Sequence, residues 1–154
     1  MAEISWKPEA ADVSAILRAR TVDPGGNELG EFGPLTRPTL DQVNALLTLA
    51  SNTVAAQTGV VIGDENLAAA ATHLAAIRAA MLVELTYFPE QVGNDDSPYE
   101  ALRDLYREEL PLLVSAVKDA GAGVDDGEPG GTVSVEGTPT FAFPADEGGM
   151  LGWG

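Results

Sequence analysis

One long apolar helix pattern constrains this chain more than any other feature. Apolar residues recur every three or four positions, the spacing that aligns side chains on one helix face. The members of this stripe are Leu67, Ala70, Leu74, Ile77, Met81, Leu85 and Phe88. Asp64 can cap the start of the helix, and Pro89 ends it. Because Ala, Leu and Val also extend onto a second face, we expect this helix to lie centrally and to contact more than one other helix.

Two shorter helices are predicted before it. The first follows Pro8, with Trp6 as an apolar anchor just upstream. The second opens in "TLDQ", where Thr39 and Gln42 have the spacing of a capping box, and Gly59 is a suitable C-terminal stop. The segment between them, "TVDPGGNELGEFGPLTRP", is rich in Gly and Pro and predicts a loop or irregular hairpin.

A fourth helix restarts after the break at Pro89. Ser97 is the predicted cap, Pro98 takes the first helical position, and Glu100 completes a second capping box. Its apolar stripe comprises Tyr99, Leu102, Tyr106, Leu110, Leu113 and Val117. Pro111 should kink this helix or divide it in two, and Gly121 should close it.

The opposite face of the fourth helix carries charged residues of both signs. Arg103 and Arg107 alternate there with the acids Glu100, Asp104 and Glu108. Residues three and four apart on a helix are neighbours, so these charges can form ion pairs along the surface. We expect this face to be solvated or to face another subunit.

Composition changes sharply near residue 121. The last 34 residues hold ten of the 17 glycines, six acids and no base. We therefore predict a helical body over residues 1–120 and a C-terminal docking arm over residues 121–154. Thr132–Glu136 and Thr140–Phe143 alternate in the strand manner, so the arm could form a short β-hairpin or add a strand to a partner sheet. A tail that folds back on its own bundle is the alternative.

Charge and residue inventory exclude several function classes. Eight bases against 24 acids give a net charge of −16, which repels phosphate and makes ordinary nucleic-acid binding unexpected. With no cysteine and one histidine, thiolate and multi-histidine metal sites are not available. We expect His73 to be structural or at an interface, and the pairs Asp95-Asp96 and Asp125-Asp126 to be solvated loop acids. No hydrolase or nucleotide-binding motif is present, so we expect no enzyme, catalytic residue, cofactor or metal.

Neither a leader peptide nor a membrane span is expected from the sequence. The N-terminal "MAEISWKPEA" has no basic region followed by an apolar run. The longest apolar helix contains His73, Arg78 and Glu84, which are costly in a lipid environment.

Two stretches of the sequence share a pattern with a known family. From Asp12, "DVSAILRARTVDPGGNELGEFGPLTRPT" gives a short helix with basic residues at its end, a Gly-rich loop and a helix opening on Thr. From Arg78, "RAAMLVELTYFPEQVGNDDSPYEALRDLYREELPLLVSAVKDAG" gives a helix ending in Tyr-Phe-Pro-Glu-Gln, an acidic loop and Ser-Pro-Tyr-Glu. Together they resemble the head-to-tail connector (adaptor) proteins of long-tailed bacteriophages, particularly those infecting actinobacteria. The resemblance runs from Asp12 to Gly121 and does not cover the residues that follow.

The resemblance implies an all-α fold, a small antiparallel bundle of about four helices. It implies a twelvefold ring of copies below the portal, which extends the DNA channel and presents a platform for the stopper or tail. The implied partners are further copies, the portal protein and a stopper or tail-completion protein, while DNA passes without specific binding. The implied location is the neck of the virion, after assembly in the host cytoplasm. Candidate interface residues are Trp6, Tyr87, Phe88, Arg103, Arg107, Phe141, Phe143, Met150, Leu151 and Trp153.

The adjacent aromatics Tyr87 and Phe88 require a separate interpretation. Consecutive residues point about 100° apart on a helix, so both cannot fill one core. We hypothesise that Phe88 packs inward beneath the turn to the fourth helix, whereas Tyr87 faces a neighbouring subunit or the loop. The alternative is that both make ordinary contacts within the chain.

Two other functions remain open from the sequence. The chain could be a different neck or tail-completion component of the same virion. An acidic helical protein could also mimic DNA and inhibit a nucleic-acid enzyme. Mimicry predicts acids arrayed on the surface of a monomer or dimer and no ring, so the oligomeric state separates the two classes.

Overall fold

A computed structural model describes residues 4–59 and 64–125, without the side chains of residues 122–125. Within these ranges the chain is all-α, as the sequence predicts. Its elements are α1 (Ala10–Ile16), a 3-10 turn (Arg18–Arg20), α2 (Leu40–Thr58), α3 (Glu65–Tyr87) and α4 (Tyr99–Asp125). The Gly-rich loop after the 3-10 turn contains one isolated antiparallel bridge, Val22 with Glu28.

The ends of α2 and α3 follow the local signals in the sequence. The Thr39 hydroxyl accepts a hydrogen bond from the Gln42 N–H, and the Gln42 side chain accepts one from the Thr39 N–H, which confirms the first capping box. Gly59 adopts a left-handed conformation with φ of 86° and ends α2. The Asp64 carboxylate accepts from the Asn66 N–H at 2.8 Å and caps α3.

The core has two hydrophobic clusters, and α3 contributes to both of them. The first contains Trp6, Val54, Ala71, Leu74, Ala75, Ile77, Met81, Tyr106 and Leu113. The second contains Val13, Leu17, Phe32, Val43, Leu47, Ala50, Ala79, Ala80 and Val83. The predicted central position of α3 is therefore confirmed. Burial of each large apolar side chain contributes about 1.5–3 kcal/mol relative to exposure.

The predicted stripe on α3 is wrong at two positions. Ala70 and Leu85 are exposed, and the alanines at 71, 75, 79 and 80 are buried instead. The small side chains allow α1 and α2 to approach α3 closely, so the buried surface extends around the helix beyond one narrow stripe.

Helix α4 packs its predicted apolar stripe against the first cluster, with Tyr106 and Leu113 buried and the other members partly buried. Two of its boundary predictions need correction. Pro111 lies inside one continuous helix on its exposed side, so it does not divide α4. Gly121 does not close the helix, which continues to Asp125; Asp125 is therefore helical and not a loop acid. Gly121 lacks the positive φ of a C-terminal glycine, and its cost within a helix, about 1 kcal/mol, does not end α4 here.

The chain divides into two units between Val117 and Lys118. The first unit holds both hydrophobic clusters. In the second unit, the structure describes the end of α4, up to Asp125. The predicted arm strands and the candidates Phe141, Phe143, Met150, Leu151 and Trp153 lie outside the described residues. The assignment of a body and a docking arm stays a prediction.

Candidate interface groove

Three of the eight basic residues line one groove on the first unit. Arg78 comes from α3, and Arg103 and Arg107 come from α4. The two α4 arginines are four residues apart and so lie on the same helix face. The groove holds about 420 Å³, and we name it the arginine groove. Its full lining is Gln57, Arg78, Met81, Tyr99, Arg103, Tyr106, Arg107, Leu110 and Pro111.

Arg78 is incompletely satisfied within this groove. Its Nε is buried and has no hydrogen-bond acceptor among the described residues. Its guanidinium carbon lies 5.8 Å from the centroid of the Tyr106 ring, a cation–π contact that offsets part of the desolvation. A buried donor without an acceptor is costly, and the contact with Tyr106 offsets only part of that cost.

Tyr106 is fixed between α3 and the end of α2. Its hydroxyl donates a 2.6 Å hydrogen bond to Oε1 of Gln57. Burial raises the pKa of the Tyr106 phenol above its ordinary value, and the nearby Arg78 charge opposes this rise in part. The phenol therefore stays neutral over the physiological pH range. Its apolar ring lines the groove, and its hydroxyl is held by Gln57.

The two α4 arginines differ in how their charge is compensated. Arg103 pairs with Glu100 and Asp104, and its hydrogen bond to Asp104 is the largest cause of a raised pKa. Arg107 is exposed, and within the described part of the chain it forms no ion pair. The predicted ion-pair face thus exists around Arg103, while Arg107 keeps an uncompensated charge at the groove.

A second polar cluster, which the sequence did not predict, lies inside the first unit. The fully buried Glu84 carboxylate accepts hydrogen bonds from Nε and Nη2 of Arg20 at 2.7 and 2.8 Å. It also accepts one from the Ser97 hydroxyl at 3.0 Å. We name these three residues the buried clasp. It joins the 3-10 turn, the end of α3 and the loop that leads into α4, and it gives the buried charge the partners that it needs.

The predicted capping box of Ser97 and Glu100 is not formed. The Ser97 oxygen accepts from the Tyr99 N–H at 3.3 Å, but the predicted return bond from Glu100 is not made. Glu100 pairs with Arg103 instead, and the Ser97 N–H donates to the Asn94 carbonyl. The prediction failed because the Ser97 N–H and the Glu100 carboxylate both have other partners, while the Ser97 hydroxyl donates to Glu84.

The break after α3 places its two aromatics differently. Phe88 is half-buried, packs against the second cluster and lies under the Arg20 guanidinium, 4.3 Å from ring centroid to carbon. Tyr87 is also half-buried but belongs to neither cluster. Phe88 therefore packs inward as hypothesised, whereas a subunit contact for Tyr87 stays a prediction. Trp6, another interface candidate, is buried in the first cluster and is explained by packing within the chain.

Other polar features of the described residues suggest no chemistry. His73 is exposed, with its Nε2 3.8 Å from a Glu109 oxygen. In the ranges 4–59 and 64–125, no group of three metal-ligating side chains comes together. Helix α3 is long and apolar enough to cross a membrane, but half of its most apolar window is buried inside this fold, as expected for a core helix.

The chain was compared with known proteins at three levels. No protein-family model, curated protein or solved structure matches it. The functional interpretation therefore depends on its own residues and their geometry.

Proposed function

We propose that this chain is a structural protein of the phage neck. Copies form a ring below the portal, extend the DNA channel and link the capsid to the stopper or tail. The proposal starts from the sequence resemblance between Asp12 and Gly121, and from an all-α body of the kind that resemblance implies. Its work is assembly and not catalysis.

One structural observation supports the proposal more than any other. The two stretches that carry the resemblance are far apart in sequence, yet they meet in the buried clasp. Arg20 belongs to the first stretch, and Glu84 and Ser97 belong to the second. The Tyr-Phe-Pro break and the Ser-Pro restart are therefore parts of one junction in this chain, which supports treating the two stretches together in the proposal.

The surface of the body also suits repeated side-by-side contacts. Large apolar side chains are exposed on three different helices, among them Leu49 on α2, Leu85 on α3 and Leu112 on α4, with exposures of 53%, 41% and 68%. Neighbouring copies in a ring would bury such residues. An acidic inner wall would let DNA slide without binding.

Electron microscopy of the chain mixed with the portal ring from the same genome tests this proposal. The full-length chain is compared with a variant that ends at Asp125, because an earlier end would cut into α4. We expect a second ring on the portal with the full-length chain. Loss of that ring in the shortened variant would assign docking to the C-terminal segment.

The same experiment separates the alternatives. A chain that binds elsewhere on purified necks is another neck or tail-completion component. A chain that forms no ring and instead inhibits a nucleic-acid enzyme is a DNA mimic, and the adaptor proposal fails. Because each copy carries a net charge of −16, we expect added salt to favour ring formation by screening the repulsion between copies.

A further inference from the structure

The arginine groove has properties that a ring of identical acidic copies does not explain. Three cationic side chains converge there on a chain with a net charge of −16. Two of them, Arg78 and Arg107, have no carboxylate partner among the described residues. These two cations are therefore open to an external anion.

The chemistry of the lining defines the ligand. Arg78 and Arg107 line the groove and offer charge-assisted hydrogen bonds to carboxylate oxygens. Tyr99, Met81 and Leu110 provide an apolar surface beside them. A ligand that satisfies both features carries carboxylates next to an apolar side chain.

The size and surroundings of the groove limit what can enter it. A space of about 420 Å³ holds a few side chains, not a folded surface. Glu100 and Asp104, which pair with Arg103 at its edge, would repel the dense phosphates of a nucleic acid. A second copy of the chain would bring its whole net charge of −16 towards this one, whereas an acidic segment on another protein brings only a few carboxylates.

We propose that the arginine groove is a docking site for a short acidic segment of a different protein. The carboxylates of the segment bind Arg78 and Arg107, and its apolar side chain packs on Tyr99 and Leu110. This inference depends on the groove alone and holds for any assembly that the chain forms.

The test is fluorescence anisotropy of the full-length chain with a fluorescein-labelled Asp-Glu-Phe-Asp-Glu peptide. The uncharged Asn-Gln-Phe-Asn-Gln peptide is the matched ligand control. We expect saturable binding of the acidic peptide in the micromolar range, weakened by added salt, and no binding of the amide peptide. This salt dependence is opposite to the one expected for ring formation.

Charge-removing variants locate the site. Arg78→Gln and Arg107→Gln should each weaken binding by about tenfold or more, the loss expected for one charge-assisted hydrogen bond. Arg37→Gln is the matched control, since Arg37 is exposed, lies outside the groove and forms no ion pair within the described residues. Circular dichroism checks that each variant is folded. If Arg78→Gln unfolds, the peptide affinity of Arg107→Gln alone decides whether the groove is the binding site.

Several outcomes would overturn the proposal. The acidic peptide could fail to saturate, or Arg37→Gln could weaken binding as much as the groove variants, which would indicate only a general charge effect. Inorganic phosphate or a thymidine octanucleotide could displace the peptide at lower concentration, which would make the groove a phosphate site. Sedimentation could show self-association that Arg107→Gln abolishes, which would make a second copy the occupant.

Discussion

Arg20 and Glu84 form a two-point ion pair across 64 residues of sequence, with nitrogen–oxygen distances of 2.7 and 2.8 Å. The Glu84 side chain has no solvent exposure and that of Arg20 is 14% exposed. Planar guanidinium and carboxylate groups match in this geometry, so the pair fixes direction as well as distance. The Phe88 ring beneath the guanidinium adds a second contact to the same cation.

Removal of Arg20 should be far more costly than removal of a surface arginine. Arg20→Met leaves a buried carboxylate without its cation, and we expect the free energy of unfolding to fall by about 3–5 kcal/mol. Arg18→Met, which breaks the exposed pair with Glu28, should change it by about 0–1 kcal/mol. Urea denaturation of both variants measures the difference.

A double-mutant cycle then isolates the pair. Because Arg20→Met together with Glu84→Met removes both charges, the double variant should be destabilised by much less than the sum of the two single variants. Additive costs would show that the two side chains act independently and that the clasp contributes little.

Phe88 should contribute more to stability than Tyr87. Phe88→Ala removes contacts with the second cluster and with Arg20, and we expect a loss of about 2–3 kcal/mol, below the range for a fully buried ring. Tyr87→Ala should cost clearly less, since Tyr87 belongs to neither cluster. Equal losses in the two chemical denaturation curves would remove the case for an interface role of Tyr87.

Tyr106 should make the stability of the body sensitive to alkaline pH. The pKa of Tyr106 is raised in the folded state from its ordinary value of 10.0, so the folded chain holds this proton more tightly than the unfolded chain. The associated stabilisation is complete below pH 10.0 and is lost as the pH rises through the folded-state pKa. The free energy of unfolding should thus fall less steeply above that pH in Tyr106→Phe than in the wild type.

A further variant controls the Tyr106 experiment. Arg78→Gln removes the charge that opposes the pKa rise, so the tyrosinate absorbance of Tyr106 should appear at still higher pH. An unchanged titration in this variant would contradict the assigned electrostatic contact.

Two glycines should respond in opposite directions to alanine. Gly121 lies inside α4 with open space at its Cβ position, so Gly121→Ala should stabilise the chain by about 0.5–1 kcal/mol. Gly59 has a φ of 86°, where a side chain is strained, so Gly59→Ala should destabilise by about 1 kcal/mol. Thermal unfolding compares them, and destabilisation by Gly121→Ala would restore the predicted helix end at that residue.

The sequence predicts helix ends that depend on neighbouring residues, and it does not predict features that depend on contacts between residues far apart in the chain. The capping pattern at Thr39, the stop at Gly59 and the cap at Asp64 each involve neighbours along the chain, and the structure confirms all three. The end of α4 was misplaced because a helix tolerates Gly121 when no left-handed turn forms there.

The candidate site was predictable only in part for the same reason. Arg103 and Arg107 share a helix face, so their grouping follows from spacing. Arg78 joins them only through the packing of α3 against α4. In the sequence, Glu84 is an isolated acid in an apolar helix. A charge at such a position indicates that a partner is present, but no neighbouring residue in the sequence identifies Arg20 as that partner.

The long separation within the buried clasp has a kinetic consequence. Contacts between residues far apart in sequence carry a large loop-closure cost, so they form after local helices and nearby helix pairs. A contact absent from the folding transition state affects the unfolding rate and leaves the folding rate nearly unchanged. We therefore expect the Arg20–Glu84 pair to govern how long the body stays folded under mechanical load, such as the proposed place in a phage neck would impose, and not how quickly it first folds.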